Sequence, residues 1–271
     1  MEISMEPFFV DEQNPENSIP TPELTAKHPL QMGYLMMALT EHADAETKRG
    51  NHEMAARYWL ALAKGTPTRS VGMVKACASY AAAKAWDKAA DACAQALGRG
   101  GATVGDQVRY VQVMLERKGA LDSTGVEAVT AVLSEVERAY GADPKGKKRL
   151  VALRCRLAVN QTDAAGLEAC AQAVQSWPAK DPERVLFATA AAVNNKDWDR
   201  AEQIVEDAGK AGLPAPLLAQ ARAQIAAQKT LQSSKAWDNF KSHWAPVLGV
   251  AVALALLGLV LRSRRPKARL A

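Results

Sequence analysis

The 271-residue chain is poor in the residues that carry chemistry. Its four cysteines, Cys77, Cys93, Cys155 and Cys170, are far apart and form no CxxC pair, so no zinc site can be assembled from close ligand pairs. Its four histidines, His28, His42, His52 and His243, form no HExxH and no Ser/His/Asp constellation. Gly98, Gly100, Gly101 and Gly105 cluster without a following Gly-Lys-Ser/Thr, which reads as a turn rather than a phosphate cradle. No nucleophile–base pair can be proposed, and the expectation is a non-enzyme with no metal and no cofactor. The first residues, Met-Glu-Ile-Ser-Met-Glu-Pro, lack a basic n-region and an apolar run, so no secretory signal is expected there.

Aromatic residues make up only 6% of the chain, and no alternating strand pattern of useful length occurs. What is abundant is alanine, which carries much of the 48% apolar content. Alanine loses no side-chain entropy in a helix, so the composition points to closely packed helices. Cysteines in settings such as Lys-Ala-Cys-Ala and Asp-Ala-Cys-Ala read as small buried helix residues, reduced and used as core filler.

The net charge of +5 is unevenly placed. Residues 1–29 hold six acids against Lys27, and residues 262–271 hold Arg262, Arg264, Arg265, Lys267 and Arg269. These ends cancel, and the remaining charge is diluted over the long middle. That is not the concentrated stripe a nucleic-acid binder needs, so no nucleic-acid partner is expected. The basic run from Asp143 to Arg149 reads as a solvated turn entering a helix. Five prolines among acids make 1–29 a disordered arm, within which Glu6-Pro7-Phe8-Phe9-Val10-Asp11 sets an apolar triplet among acids.

From Trp244 to Leu261 the sequence runs for eighteen residues without a charge. At ~1.5 Å per residue that is about 27 Å, close to a hydrocarbon core of about 30 Å. Trp244, Val247, Leu248, Val252, Leu256 and Leu261 belong to this expected membrane anchor, with Pro246 in its first turn. Gly249, Ala253 and Leu257 share a face, a spacing that can bring two anchors together in a homo-oligomer.

Between the arm and the anchor the chain repeats itself. Lys84-Ala85-Trp86-Asp87-Lys88-Ala89 is echoed by Lys196-Asp197-Trp198-Asp199-Arg200-Ala201. Asp91-Ala92-Cys93-Ala94-Gln95-Ala96-Leu97 is echoed by Glu168-Ala169-Cys170-Ala171-Gln172-Ala173-Val174. Aligned on the small residue that opens each second helix, the series is Ala55, Ala89, Ala128, Gly166 and Ala201, with steps of 34, 39, 38 and 35. Trp86, Ala89, Ala90, Cys93, Ala96 and Leu97 recur at three and four, one apolar stripe of a helix. One hairpin cannot bury its own stripe, so the units must stack.

The 34-residue period, the aromatic-x-x-Ala openings at Trp86/Ala89 and Trp198/Ala201, Tyr80, and the closing prolines Pro67, Pro178 and Pro214 resemble a tetratricopeptide-repeat array. The stretch from about Gly105 to Tyr140 is the poorly marked unit. The expected fold is all-α: an αα-hairpin solenoid of about five degenerate pairs over 30–215, a capping helix and hinge over 216–243, a single transmembrane helix over 244–261, and a basic tail over 262–271. The resemblance implies a protein-binding groove lined by the first helix of each hairpin, with Val74, Ala78, Tyr110, Val113, Arg117, Val151 and Leu186 as candidates. These are mostly small or apolar, which implies an apolar peptide or helix as ligand rather than an acidic chaperone tail.

The expected function is therefore a membrane-tethered scaffold or adaptor that holds a protein partner and contacts lipid through its C-terminal helix. The alternative is a structural or assembly subunit of a membrane complex. Without an export signal, the helical domain is expected in the cytoplasm, with the short tail crossing the membrane. The basic tail favours the opposite orientation under the positive-inside rule. In an exported domain, Cys77/Cys93 and Cys155/Cys170, each within one hairpin, are the pairs available for disulfides.

Overall fold

A computed structural model describes residues 10–19, 26–117, 119–141 and 143–231, and the chain divides into two compact units with the boundary after Ala173. The expected anchor Trp244–Leu261 and the tail lie outside the described residues. Among the described residues no strand occurs and no helix is long and apolar enough to cross a membrane.

The first unit runs α1 (Pro29–Arg49), α2 (His52–Gly65), α3 (Val71–Ala82), α4 (Trp86–Leu97), α5 (Val104–Glu116), α6 (Ser123–Tyr140), α7 (Pro144–Gln161) and α8 (Ala164–Ala173). Each helix packs on its neighbours in sequence. In addition α3 lies against α5, and α5 against α7. First helices of successive hairpins are thus side by side, the packing of a helical repeat.

The turns show the repeat most plainly. In α1–α2, α3–α4 and α7–α8 one residue is left-handed: Gly50 (φ 82°), Lys84 (φ 57°) and Thr162 (φ 53°). The next residue, Asn51, Ala85 or Asp163, donates its N–H five residues back, to the carbonyls of Glu46, Tyr80 and Ala158. This closes the spent helix as a Schellman motif. The same residue then offers its own carbonyl to the N–H four residues on, at Ala55, Ala89 and Leu167, and so opens the next helix. One residue ends a helix and begins another.

In this register the opening residue of the fourth hairpin is Leu167, not Gly166. In the third hairpin it is Val126, which bonds to the carbonyl of Asp122, not Ala128. The slip has a physical cause: the α5–α6 connection runs through Arg117–Asp122, against two or three residues in the other turns, so the period breaks there. Polar caps take over in this region. Thr103 and Asp106 form a capping box on α5, Asp122 caps α6 at Gly125 N, and Asp143 caps α7 at Gly146 N.

The core follows from the alanines. Ala55, Ala56, Ala61, Ala63, Ala76 and Ala89 are completely buried, and Leu35, Leu39, Val108, Val111, Val129 and Val136 fill the spaces between. Small residues let helix axes approach, and the α2–α3 seam is the closest example. A Cβ added at Gly72 would lie 2.8 Å from the backbone nitrogen and Cα of Ala63.

Two expectations are corrected here. The cysteines are not free: Cys77 bonds to Cys93 across α3–α4, and Cys155 to Cys170 across α7–α8, with Cα separations of 5.1 and 5.5 Å. Both distances suit a disulfide. The arm is not wholly without structure, because residues 10–19 fold onto the first hairpin. Val10 and Ile19 pack against the core, Pro15 and Ser18 are buried, and Asp11 N–H donates to Ser18 Oγ at 2.8 Å. Two apolar anchors and a rigid proline turn offset an ordering cost that composition alone made prohibitive.

The second unit contains α9 (Pro182–Asn194), α10 (Trp198–Lys210) and a helix over 215–231, here α11. Lys196 (φ 60°) and Asp197 repeat the turn described above, with Asp197 N–H on the carbonyl of Ala192 and Ala201 N–H on that of Asp197. Val185, Ala192, Ala201, Val205, Leu213 and Ile225 form its core, with Trp198 packed against it.

Candidate functional site

The residues expected to line a binding groove separate into four groups. Val74 and Ala78 on α3 and Val151 on α7 are half-buried, on helices that flank α5. Tyr110 and Val113 on α5 belong to the core, 7% and 3% exposed, so their assignment to a binding surface is corrected. They fall one helical turn apart on the face of α5 that the stack covers, and burial pushes the Tyr110 phenol up. Leu186 is exposed on α9 of the second unit. Arg117 is not on a helix face at all. It follows the end of α5, where its Nε donates to Asp87 Oδ1 at 2.8 Å.

That ion pair marks a cleft of about 530 Å³ between the α3–α4 turn and the longer α5–α6 connection. Trp86, Met114 and Leu121 give it apolar walls, and Lys84, Lys88 and Arg117 supply cations. At the preceding pair of turns, Lys88 Nζ reaches back to Glu53 at the start of α2, so an ion pair links successive turns there as well. The cleft lies beside the longer third connection. The connection is held in place by α7: Leu121 N–H donates to Asn160 Oδ1 at 2.9 Å, Asn160 Nδ2 to Gly119 O at 3.1 Å, and Gln161 Nε2 to Leu121 O at 3.2 Å. Gly119 and Leu121, on the cleft's edge, are thereby tied to α7. Trp86 and Arg117 were readable from sequence, one as a repeat marker and the other as a groove cation. Lys84, Met114 and Leu121 were not, although the excess of the second step, Ala89 to Ala128, over 34 pointed to an insertion here.

A second cavity of about 530 Å³ lies where the arm meets α1 and α2, lined by Glu12, Glu41, His42, Glu46, Met54 and Tyr58. The His42 ring stacks on Tyr58 at 5.3 Å. Hydrogen bonds from Asn51 and Arg49 hold the Glu46 carboxyl below the usual range. Among the described residues no group of three or more His, Cys, Asp or Glu side chains is placed to hold a metal ion.

The arm is fastened by one bidentate contact. Arg57 Nε and Nη2 donate to the two Glu16 oxygens at 2.9 and 3.0 Å, and Nη2 also reaches Asn14 Oδ1. The Arg57 hydrogen bonds hold the Glu16 carboxyl below its ordinary value. A depressed carboxylate contributes its hold above the unfolded pKa and loses it as pH falls through the folded one. Acidification is therefore expected to loosen residues 10–19. Glu16→Gln should abolish that pH dependence and speed proteolytic clipping of the arm about fivefold at neutral pH, for a contact of about 1 kcal/mol. Clipping rates from pH 3 to 7 check both statements, and an unchanged profile in the variant would contradict them.

No family model, no curated protein and no solved structure matches this chain.

Proposed function

We propose that the chain is a membrane-tethered scaffold that holds a protein partner on its stacked hairpins. The observation that carries the reading is the side-by-side packing of α3, α5 and α7, which builds one continuous surface from successive repeats. The resemblance to tetratricopeptide arrays supports the same reading, as does the absence from the sequence of any nucleophile–base pair. The uncharged run Trp244–Leu261 with its basic tail supplies the tether.

The two disulfides favour a helical domain on the oxidising side of the membrane. The basic tail then stays on the cytoplasmic side, as the positive-inside rule asks. The two cysteine pairs support this orientation over the cytoplasmic placement expected from sequence.

Co-purification from detergent, with and without residues 240–271, tests the scaffold. A scaffold keeps its partner when the anchor is removed, whereas loss of every partner on truncation supports an assembly subunit that associates through its anchor. Acid quenching of cells followed by maleimide–polyethylene glycol labelling tests the orientation. Four thiols protected until reduction support it, and four thiols labelled without reduction would reverse it.

A further inference from the structure

We infer that the cleft between the α3–α4 turn and the α5–α6 connection is a docking site for an acidic peptide segment bearing an apolar or aromatic side chain. This rests on the scaffold reading and adds to it a place and a chemistry, away from the surface formed by the first helices. Three observations converge on it.

The cleft exists because the third hairpin carries an insertion, and in repeat arrays the insertions map to loops on one face, often the binding face. Within the insertion, Gly119 and Leu121 are held by three hydrogen bonds with Asn160 and Gln161, so these two need no ordering by a ligand.

The charges inside are unequally spent. Asp87 is engaged by Arg117, Asp122 caps α6, and Lys88 is engaged by Glu53. Among the described residues, Arg117 uses only its Nε, on Asp87, and Lys84 forms no ion pair. The unspent capacity is cationic. It sits at the rim of apolar walls made by Trp86 and Met114, and Trp86 is only half-buried. An anionic side chain on the rim with an apolar neighbour against Trp86 satisfies both, and a basic segment satisfies neither.

The test uses the full chain in detergent with three labelled hexapeptides, EEFLEE, KKFLKK and EEGGEE, followed by anisotropy and by tryptophan fluorescence. EEFLEE is expected to bind saturably and to shift a fluorescence component that is missing in Trp86→Phe. EEGGEE and KKFLKK should bind about tenfold more weakly or worse. Lys84→Glu, an exposed change outside the core, should weaken EEFLEE about tenfold, with Arg117→Gln in the same direction. Circular dichroism of each variant, unchanged from the parent, shows that the fold is kept. EEFLEE binding that survives Lys84→Glu, or equal binding of KKFLKK, or no binding at all would overturn the cleft as a docking site. None of these touches the scaffold reading, which fails separately if no partner co-purifies.

Discussion

Reduction of the two disulfides is expected to lower the melting temperature of the first unit by about 6–12 °C per bridge. Cys77–Cys93 and Cys155–Cys170 are 16 and 15 residues apart in sequence. Closing a loop of that length removes about 3 kcal/mol of chain entropy from the unfolded state. For a unit of this size, 1 kcal/mol moves the midpoint by about 2–4 °C. Both pairs join helices of one hairpin, so neither holds distant parts of the stack together, and their effects should add because they share no partner. Thermal melts of the parent, of Cys77→Ala with Cys93→Ala, of Cys155→Ala with Cys170→Ala, and of the reduced parent give the comparison. The two double variants should fall by similar amounts, and the reduced parent by roughly their sum. A reduced parent that melts with the oxidised one would show that the bridges do not form.

Trp59→Ala should cost about 3–5 kcal/mol, the largest loss expected from a single side chain. Trp59 is 5% exposed in α2, the helix that is packed by α1, α3 and the arm at once. Its ring also lies 5.5 Å from Lys75 Nζ on α3, a cation–π contact that truncation removes with the packing. Truncation leaves a cavity in a packed core that relaxes only in part. Against a total of 5–15 kcal/mol for an ordinary domain, the variant should unfold at a far lower urea concentration. Trp59→Phe keeps much of the volume and should recover most of the loss, while Lys75→Ala should cost less than about 1 kcal/mol. Equal midpoints for Trp59→Ala and Lys75→Ala would mean that the ring's burial contributes nothing.

Much of the fold was legible because the hairpins repeat in both composition and turn. Ala55, Ala89 and Ala201 open their helices as the pattern requires, and all three are fully buried. Val126 and Leu167 carry no small-residue signature, because the position is defined by a backbone hydrogen bond that any residue can make. The disulfides had a readable signal. In an antiparallel helix pair, residues equidistant from the turn are neighbours. Cys77 and Cys93 are eight residues either side of Ala85, and Cys155 and Cys170 are centred between Thr162 and Asp163.

The candidate site was less legible than the fold. Tyr110 and Val113 were chosen by analogy with a groove, but which face of α5 is covered depends on how α6 and α7 pack, and that is tertiary information. The cleft arises from a mismatch between connection lengths, so no residue type announces it. Residues 10–19 illustrate the same point in reverse. Their polar composition hid the few contacts, Val10, Pro15 and Ile19, that hold them down.

The shared residue at the turns also decides where the chain tolerates foreign sequence. At Asn51, Ala85, Asp163 and Asp197 a single residue serves two helices, its N–H one and its C=O the next, so an epitope tag spliced there unravels the close of one and the start of the other. Between Arg117 and Asp122 the two jobs fall to different residues, yet Gly119 and Leu121 are tied there to Asn160 and Gln161. A graft at that point would spare both helix ends and still dismantle the wall of the cleft.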